Sequence, residues 1–318
     1  MADVTLRGTF TALVTPFTSE HAVDHAAFER LLEAQLAGGV SGLVPCGTTG
    51  ESPTLTEAEQ LDLVIRCVAA AKAANAKSGG RAPVRVVAGT GSFSTKKTLE
   101  ASVAAERAGA DAVMVVVPYY SKPTQEGLFQ HFVTVARAVA CPVVVYNIPG
   151  RTGVDLAADT LLRIMEAAPN VTATKEATGN VLRAQELVRR SEGRLTVLSG
   201  DDGLTFPMAA VGAQGVISVT SNLLPGHVSR ATRLALEAFG GAGDVAAARA
   251  AHFALLPVHD AMFVEANPGP VKAAMAGAGL LAETVRPPLA PVSEAARARV
   301  LEVVSAFTSR AGADPRVS

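Results

Sequence analysis

The sequence has few cysteines and no long apolar run, and each shortage excludes a class of protein. Its three cysteines, Cys46, Cys67 and Cys141, stand singly with no C-x-x-C pair. An odd, sparse count argues against a disulfide framework or a structural zinc site and suits a reducing cytoplasm. No apolar run approaches the roughly 20 residues of a membrane span, and no basic-then-apolar segment opens the chain as a secretory signal would. We therefore expect a cytoplasmic protein that does not enter a membrane.

Charge is also scarce. Only 18% of the 318 residues are charged, and 28 Lys and Arg against 29 Asp and Glu give a formal net charge of −1 with no basic block. Binding to nucleic acid depends largely on the neutralisation of phosphates by lysine and arginine, so we expect no nucleic acid as a partner. Apolar residues make up 49% of the chain, which is enough for a large core and too much for a disordered protein.

Several catalytic motifs are absent as well. The six histidines form no H-E-x-x-H motif and no cluster with aspartates at metal-ligand spacing, which disfavours a metal-dependent aldolase. The sequence has no G-x-S-x-G nucleophile elbow and no G-x-x-x-x-G-K-[ST] phosphate loop. The chemistry must therefore be sought in other residues.

Eight short runs rich in valine and isoleucine alternate with longer amphipathic stretches. The runs begin near residues 9, 42, 84, 112, 142, 171, 195 and 215. Most are continuously apolar, as are parallel strands that are covered on both faces, and the intervening stretches have helical periodicity. Eight such units either close into a barrel or form an open doubly wound sheet. The sequence predicts an α/β protein with a (β/α)8 TIM barrel, because the count is eight and no dinucleotide fingerprint follows the first strand.

The strand pattern ends after residue 221, and only helical stretches follow. These stretches cover residues 225–240, 244–265, 268–280 and 293–311. The first of them completes the barrel, and the others predict a C-terminal all-helical annex. We therefore expect a catalytic barrel over residues 1–238 and a C-terminal helical domain over residues 239–318.

Lys175 points most directly to chemistry. It is the only one of the seven lysines that lies inside an apolar strand run. Burial of an ammonium group among apolar side chains is costly unless the group is paired or loses its proton. A neutral lysine amine can attack a carbonyl carbon and form a Schiff base. The alternative is a structural ion pair with Glu176 or with another carboxylate. Pairing with Glu176 is disfavoured because successive strand residues point to opposite faces.

Other polar residues follow the carboxyl ends of strands, where the active sites of such barrels lie. Tyr146 ends the fifth strand and could transfer protons at the Lys175 amine, or could be an aromatic core residue. Arg151 follows on the same rim and suits a substrate carboxylate, with a solvated loop charge as the alternative. Thr48 and Thr49 lie between two glycines, in a loop that could hold a small carboxylate. Turns of this composition are, however, common.

Six motifs in order carry a resemblance to a known family. They are GTTGE at 47–51, PYY at 118–120, YNIPGRTG at 146–153, KEATGN at 175–180, SGDD at 199–202 and GVISVT at 215–220. Together they resemble the 4-hydroxy-tetrahydrodipicolinate synthase (dihydrodipicolinate synthase) family of class I pyruvate aldolases, in the N-acetylneuraminate lyase superfamily, over about residues 6 to 305. The resemblance implies the condensation of pyruvate with L-aspartate 4-semialdehyde, the first committed step of diaminopimelate and lysine biosynthesis.

The resemblance also implies roles for the catalytic residues. Lys175 forms the imine with pyruvate, and Tyr146 is the proton shuttle. Tyr146 is linked through the Thr48 hydroxyl to Tyr120, which enters the site from a neighbouring subunit. No metal or organic cofactor is implied, since the lysine itself serves as the electron sink. The exchange of Tyr120 implies a homo-oligomer, typically a tetramer built as a dimer of dimers.

For substrate binding, the resemblance assigns four residues. Thr49 holds the pyruvate carboxylate, and Arg151 binds the carboxylate of aspartate semialdehyde. The backbone carbonyl groups of Gly200 and Ile217 line the site near the imine.

One set of residues departs from the lysine-inhibited relatives. Those relatives carry a histidine, an asparagine and a glutamate in a pocket between subunits, where this sequence has Gln60, Phe93 and Lys97. Phe93 removes an amide partner, and Lys97 replaces an anion that would pair with the ammonium of lysine. The resemblance therefore predicts weak or absent feedback inhibition by lysine.

Two other functions compete with this prediction. A sister enzyme, such as N-acetylneuraminate lyase or a 2-keto-3-deoxy sugar-acid aldolase, would use the same imine chemistry on another aldehyde. Arg151 and the Thr48–Thr49 pair favour the synthase. A non-catalytic sensor of keto acids is the second alternative, and such a protein would be free to lose Lys175 or Tyr146.

Overall fold

Eight parallel strands, hydrogen-bonded in chain order, form the centre of the molecule. The structure is a computed structural model that describes residues 4–80 and 82–311. The strands are β1 (Gly8–Ala12), β2 (Gly42–Val44), β3 (Arg85–Gly89), β4 (Ala112–Val116), β5 (Val143–Asn147), β6 (Val171–Glu176), β7 (Thr196–Ser199) and β8 (Gly215–Ser218). Because β8 also pairs with β1, the sheet closes into a barrel. The predicted (β/α)8 barrel is confirmed.

Helices connect the strands and cover the outside of the barrel. They are α1 (His25–Ala37), α2 (Glu57–Ala76), α3 (Thr95–Ala108), α4 (Gln125–Arg137), α5 (Pro149–Thr152), α6 (Ala158–Ala167), α7 (Val181–Ser191), α8 (Thr205–Ala210) and α9 (Pro225–Phe239). Short 3-10 helices follow β2, β7 and β8, at Ser52–Thr54, Asp202–Leu204 and Thr220–Asn222.

Local capping explains where helices begin. The side chain of Asp24 accepts a hydrogen bond from the backbone N–H of Ala27 and starts α1. At the start of α2, Thr56 and Glu59 form a capping box, in which each side chain accepts a hydrogen bond from the other residue's backbone N–H. A good N-cap stabilises a helix by about 1 kcal/mol, because it satisfies N–H groups that have no partner inside the helix.

The strands are apolar on both faces because two separate clusters cover them. One cluster fills the inside of the barrel, and a larger one lies between the strands and the surrounding helices. The inner cluster contains Leu6, Phe10, Ala12, Val44, Val87, Ala112, Met114, Val144, Tyr146, Ala173, Leu198 and Ile217. This double burial accounts for the continuous apolar runs in the sequence.

Three further helices form the predicted annex: α10 (Val245–Ala261), α11 (Gly269–Gly277) and α12 (Glu294–Ala311). Helix α12 contacts both α10 and α11, and α10 packs on α9. The division into domains at residues 238 and 239 stays a prediction. In the described part of the chain, no helix combines the length and the apolar character that a membrane crossing requires.

Candidate active site

Lys175 lies near the carboxyl end of β6, with its side chain inside the barrel. The residue is 5% exposed, and it follows Ala173 of the inner cluster on the same strand face. Glu176 points to the outer side, where its carboxylate accepts hydrogen bonds from Arg183 Nε at 2.9 Å and from the backbone N–H of Thr178 at 3.0 Å. Strand alternation therefore separates Lys175 from Glu176 as predicted, and the ion pair of Glu176 is with Arg183.

Tyr146 is the neighbour of Lys175 across the sheet. The two residues are register partners on β5 and β6, and the Lys175 Nζ lies 4.3 Å from the centroid of the Tyr146 ring. Tyr146 is itself 4% exposed. The face of an aromatic ring attracts a charged amine. The ring carries no formal negative charge, so it does not pair with the amine as a carboxylate would. In residues 4–80 and 82–311, no salt bridge joins this Nζ to an acidic side chain.

The loop after β2 carries both threonines. Thr49 is buried, and its hydroxyl accepts a hydrogen bond from Asn267 Nδ2 at 3.0 Å, whereas Thr48 is half-buried. A Cβ on Gly89 would lie 2.2 Å from the carbonyl oxygen of Cys46, so the loop can pack on the end of β3 only because that residue is a glycine. Through the hydrogen bond from Asn267 to Thr49, the annex contacts the loop that is predicted to hold pyruvate.

Gly200 and Ile217 lie at neighbouring positions on the same rim. Gly200 directly follows β7, and its N–H donates to the carbonyl oxygen of Glu176 at 2.7 Å. A Cβ at Gly200 would lie only 2.5 Å from the Cβ of Ala177, so a side chain would displace the turn after β6. Ile217, on β8, is buried in the inner cluster together with Tyr146.

A buried carboxylate that the sequence reasoning left without a role organises the turns after β7 and β8. Asp202 accepts hydrogen bonds from the Ser218 hydroxyl at 2.5 Å and from the backbone N–H of Val219 at 2.8 Å. The hydroxyl of Thr220 bonds to His259 Nδ1 of α10 at 2.8 Å. Burial lowers the pKa of His259. The S-G-D-D motif was a signal for this residue, but its partners come from distant segments.

Arg151 and Tyr120 lie on the rim with exposed side chains. Arg151 is on α5, and its Nη2 donates to the carbonyl oxygen of Asn267 at 3.4 Å. Tyr120 is 92% exposed and has a positive φ of 69°. Among the residues that the structure describes, no side-chain hydrogen bond connects Tyr120 with Thr48 or Tyr146. The structure of a single chain thus brings Lys175 and Tyr146 together and leaves Tyr120 apart from them.

Comparisons with known proteins agree with this arrangement. The model of the dihydrodipicolinate synthetase family matches residues 5–307. The chain belongs to this family. It is 60% identical to a 4-hydroxy-tetrahydrodipicolinate synthase of Sorangium cellulosum over 311 residues, which cover 98% of this chain and 99% of that protein. The resemblance inferred from the six motifs is confirmed.

Solved structures of the family have the same fold. The 4-hydroxy-tetrahydrodipicolinate synthase of Methylacidiphilum fumariolicum superposes with a TM-score of 0.90 at 40% identity, covering 97% of this chain and 98% of that one. The dihydrodipicolinate synthase of Aquifex aeolicus gives a TM-score of 0.88 at 39% identity, with coverages of 95% and 98%. The barrel and its helical annex are therefore family features.

A second lysine of this family member is buried more deeply than Lys175. Lys272, on α11, is fully buried, and its Nζ lies 2.5 Å from the carboxylate of Glu51. Burial is the main reason why the pKa of Lys272 is lowered to about 8. The apolar neighbours in P-V-K-A-A-M were a signal for burial, but the sequence does not show that the partner is Glu51, 221 residues away.

The three residues that replace the lysine-binding set lie around one cavity. Gln60, Phe93 and Lys97 line a cavity of about 690 Å³ between α2, α3 and the strand ends. The ring of Phe93 packs edge-on against that of Tyr119, with centroids 5.6 Å apart. The structure thus brings these residues together, and their effect on inhibition stays a prediction.

Cys46 adjoins the threonine loop but has no reactive environment. Its Sγ lies 3.5 Å from the carbonyl oxygen of Gln60, and burial raises the pKa of the thiol to about 12. A thiol with so high a pKa is not a nucleophile near neutral pH. Within residues 4–80 and 82–311, no group of three or more His, Cys, Asp and Glu residues is arranged to hold a metal ion.

Proposed function

We infer that this chain condenses pyruvate with L-aspartate 4-semialdehyde to give 4-hydroxy-tetrahydrodipicolinate, in lysine and diaminopimelate biosynthesis. Membership of the family and the name of its similar relatives support this reaction. One structural observation carries the mechanism. The amine of Lys175 lies inside the carboxyl-terminal mouth of the barrel, 4.3 Å from the centroid of the Tyr146 ring and without a carboxylate partner in the described residues.

In the first half-reaction, the lone pair of the Lys175 amine attacks the keto carbon of pyruvate. The resulting carbinolamine loses its hydroxyl group as water and leaves a protonated imine. As the carbinolamine forms, one proton passes from the nitrogen to the former keto oxygen, and a second proton, taken up from solvent, reaches the hydroxyl group as it leaves; we assign both transfers to the Tyr146 hydroxyl. Loss of a proton from the methyl carbon then gives an enamine, because the imine nitrogen accepts the electron pair. These steps use no cofactor.

In the second half-reaction, the enamine carbon attacks the aldehyde carbon of the semialdehyde. A carbon–carbon bond forms, the aldehyde oxygen takes a proton, and the imine to Lys175 is restored. The amino group of the semialdehyde then attacks the imine carbon, closes the ring and releases the Lys175 amine. The overall reaction joins the two substrates and releases one water molecule.

We assign the substrate contacts to residues on the rim. Thr49 holds the pyruvate carboxylate, Arg151 binds the carboxylate of the semialdehyde, and the carbonyl groups of Gly200 and Ile217 line the site. The guanidinium of Arg151 is exposed and, among the described residues, donates one hydrogen bond, of 3.4 Å, so it is available for a carboxylate.

The remaining part of the proton path requires a second copy of the chain. The side chain of Tyr120 enters the active site of a neighbouring subunit, where its hydroxyl contacts Thr48. The assembly is a homo-oligomer, a tetramer built from dimers. The 92% exposure of Tyr120 supports this assignment, because a phenol that acts within its own barrel would be covered. We further propose a cytoplasmic enzyme, in line with its three free cysteines, with a catalytic barrel over residues 1–238.

A substrate panel tests the reaction. The purified enzyme is incubated with pyruvate and either aspartate semialdehyde or a set of sugar aldehydes, and the product is identified by mass spectrometry. We expect efficient turnover with aspartate semialdehyde and at most trace turnover with the sugars. Lys175→Ala serves as the control for imine-dependent turnover. A preference for a sugar aldehyde would contradict the proposed reaction and favour a sister aldolase.

A further inference from the structure

The contact between the annex and the threonine loop contains a closed network of buried charges. The Lys272 Nζ donates to Glu51 Oε1 at 2.5 Å and to the carbonyl oxygen of Thr284 at 2.8 Å, and the side chains of both charged residues are fully buried. The other oxygen of Glu51 accepts the backbone N–H of Arg286 at 2.9 Å. Both oxygens of the Glu51 carboxylate are therefore bound by residues that follow α11 or belong to it.

The guanidinium of Arg286 makes a second ion pair between the annex and the barrel. It binds both carboxylate oxygens of Glu59 on α2, at 2.6 and 2.9 Å, and it donates to the carbonyl oxygen of Thr54 at 2.9 Å. This second ion pair is partly exposed, with side-chain exposures of 14% and 27%. It joins the annex to α2. Among the described residues, the side chains of Arg286 and Glu59 make no hydrogen bond to residues 46–51, and only the backbone N–H of Arg286 reaches Glu51, so the substitution Glu59→Gln is a control that leaves the contacts of Glu51 in place.

Glu51 has a left-handed backbone conformation at the end of the threonine loop, residues 46–51. Its φ is +56°, and Cys46 at the other end of the loop has a φ of +58°. Residues other than glycine adopt this left-handed conformation only where the surroundings impose it. The N–H of Glu51 donates to the carbonyl oxygen of Thr48 at 3.0 Å, so a shift of Glu51 moves the turn that presents both threonines.

Stability alone does not account for such a pair. A fully buried ion pair adds little net stability compared with apolar residues of the same size, because both charges lose their hydration. Its geometry, in contrast, is strict, since three hydrogen bonds join the carboxylate and the ammonium to each other, to the N–H of Arg286 and to the carbonyl oxygen of Thr284. An ion pair with such strict geometry is suited to hold a loop in one conformation.

We propose that Glu51 and Lys272 are positioning residues for pyruvate, which hold the loop of residues 46–51 so that Thr49 meets the pyruvate carboxylate. This assignment rests on the proposed function, in which Thr49 holds that carboxylate. The annex thereby sets the affinity of the barrel for its first substrate, although neither Glu51 nor Lys272 touches the reacting atoms.

Steady-state kinetics of the full-length enzyme test the assignment, with Glu51→Gln as the variant and Glu59→Gln as the control. The substitution Glu51→Gln keeps the size of the side chain and removes the charge that fixes it. We expect the KM for pyruvate to rise about tenfold, with kcat and the KM for the semialdehyde within about twofold of wild type. Glu59→Gln lowers the melting temperature but leaves the KM for pyruvate unchanged.

The outcomes separate positioning from mere stability. An unchanged KM for pyruvate in Glu51→Gln, or an equal rise in Glu59→Gln, would overturn the positioning role. If Glu51→Gln does not fold, Lys272→Arg takes its place, because it keeps the charge and displaces the pair, and the same rise in KM is required. Wild-type turnover is measured first. An inactive wild type would contradict the proposed function, whereas an active one with insensitive variants contradicts only the role of Glu51 and Lys272.

Discussion

The mouth of the barrel and the contact with the annex each bury one lysine, in opposite environments. Lys272 faces the carboxylate of Glu51 at 2.5 Å and has a second acceptor in the carbonyl group of Thr284. Lys175 faces the ring of Tyr146, with no carboxylate partner in the described residues. A lysine tied to a carboxylate cannot leave to attack a carbonyl carbon. The partner of a buried lysine, more than its burial, therefore distinguishes a nucleophile from a structural cation.

Removal of the structural cation is expected to have the largest effect on stability. Lys272→Met leaves the Glu51 carboxylate buried and uncompensated, so we expect a loss of about 3–5 kcal/mol in the free energy of unfolding. Urea unfolding at pH 7 measures this loss. In the double variant Lys272→Met/Glu51→Gln the charge is removed as well, and most of the stability returns. If Lys272→Met alone is as stable as wild type, the buried Glu51 carboxylate does not need Lys272 as its partner, and the contrast with Lys175 fails.

Removal of the hydroxyl beside the catalytic lysine tests the other environment. Tyr146→Phe keeps the ring under the Lys175 amine and removes the group to which we assign proton transfer. We expect kcat to fall about 100-fold or more, with little change in melting temperature. Stopped-flow or steady-state assays of the condensation measure the fall. Retention of more than a tenth of wild-type kcat would show that another group moves the protons.

His131 is a third buried base and, like Lys175, has no carboxylate partner among the described residues. It is 4% exposed, and its Nδ1 shares a hydrogen bond of 2.9 Å with the Thr95 hydroxyl; burial lowers its pKa from 6.5 to about 4. The unfolded chain therefore binds a proton between pH 6.5 and 4 that the folded protein does not. The stabilising contribution is complete above pH 6.5 and is lost as the pH falls through this window.

Between pH 7 and pH 5, the free energy of unfolding is expected to fall by about 2 kcal/mol through His131. Urea unfolding at both pH values measures it, with His131→Asn as the comparison. The variant should lose that part of the pH dependence. If the slopes of wild type and variant coincide, His131 is charged in the folded protein, and burial without a carboxylate does not keep a base neutral here.

The smallest effect is expected at an exposed lysine. Lys97 is exposed on the cavity that it shares with Gln60 and Phe93, and a solvated ammonium there repels a second cation. We expect less than twofold inhibition of the condensation by millimolar L-lysine. The substitution Lys97→Glu places an anion at this position, and stronger inhibition of the variant by L-lysine would show that the charge at residue 97 controls the inhibition. Half-inhibition of wild type at submillimolar lysine would refute it.

The parts of the molecule that sequence reasoning predicted are those that local patterns encode. Apolar runs gave the eight strands, and strand alternation gave the opposite directions of Lys175 and Glu176. The contacts of the annex could not be read in this way, because Asn267 meets Thr49 across 218 positions and Lys272 meets Glu51 across 221. Such pairs depend on how the annex docks on the barrel, which no periodicity records.

Covalent trapping of pyruvate shows which of the two buried lysines is the nucleophile. The enzyme is incubated with pyruvate and sodium borohydride, digested, and mapped by mass spectrometry. The two lysines give opposite expectations: we predict a stable pyruvate adduct on Lys175 and none on Lys272, and no adduct at all in Lys175→Ala. An unmodified Lys175, or an adduct on Lys272 instead, would contradict the account.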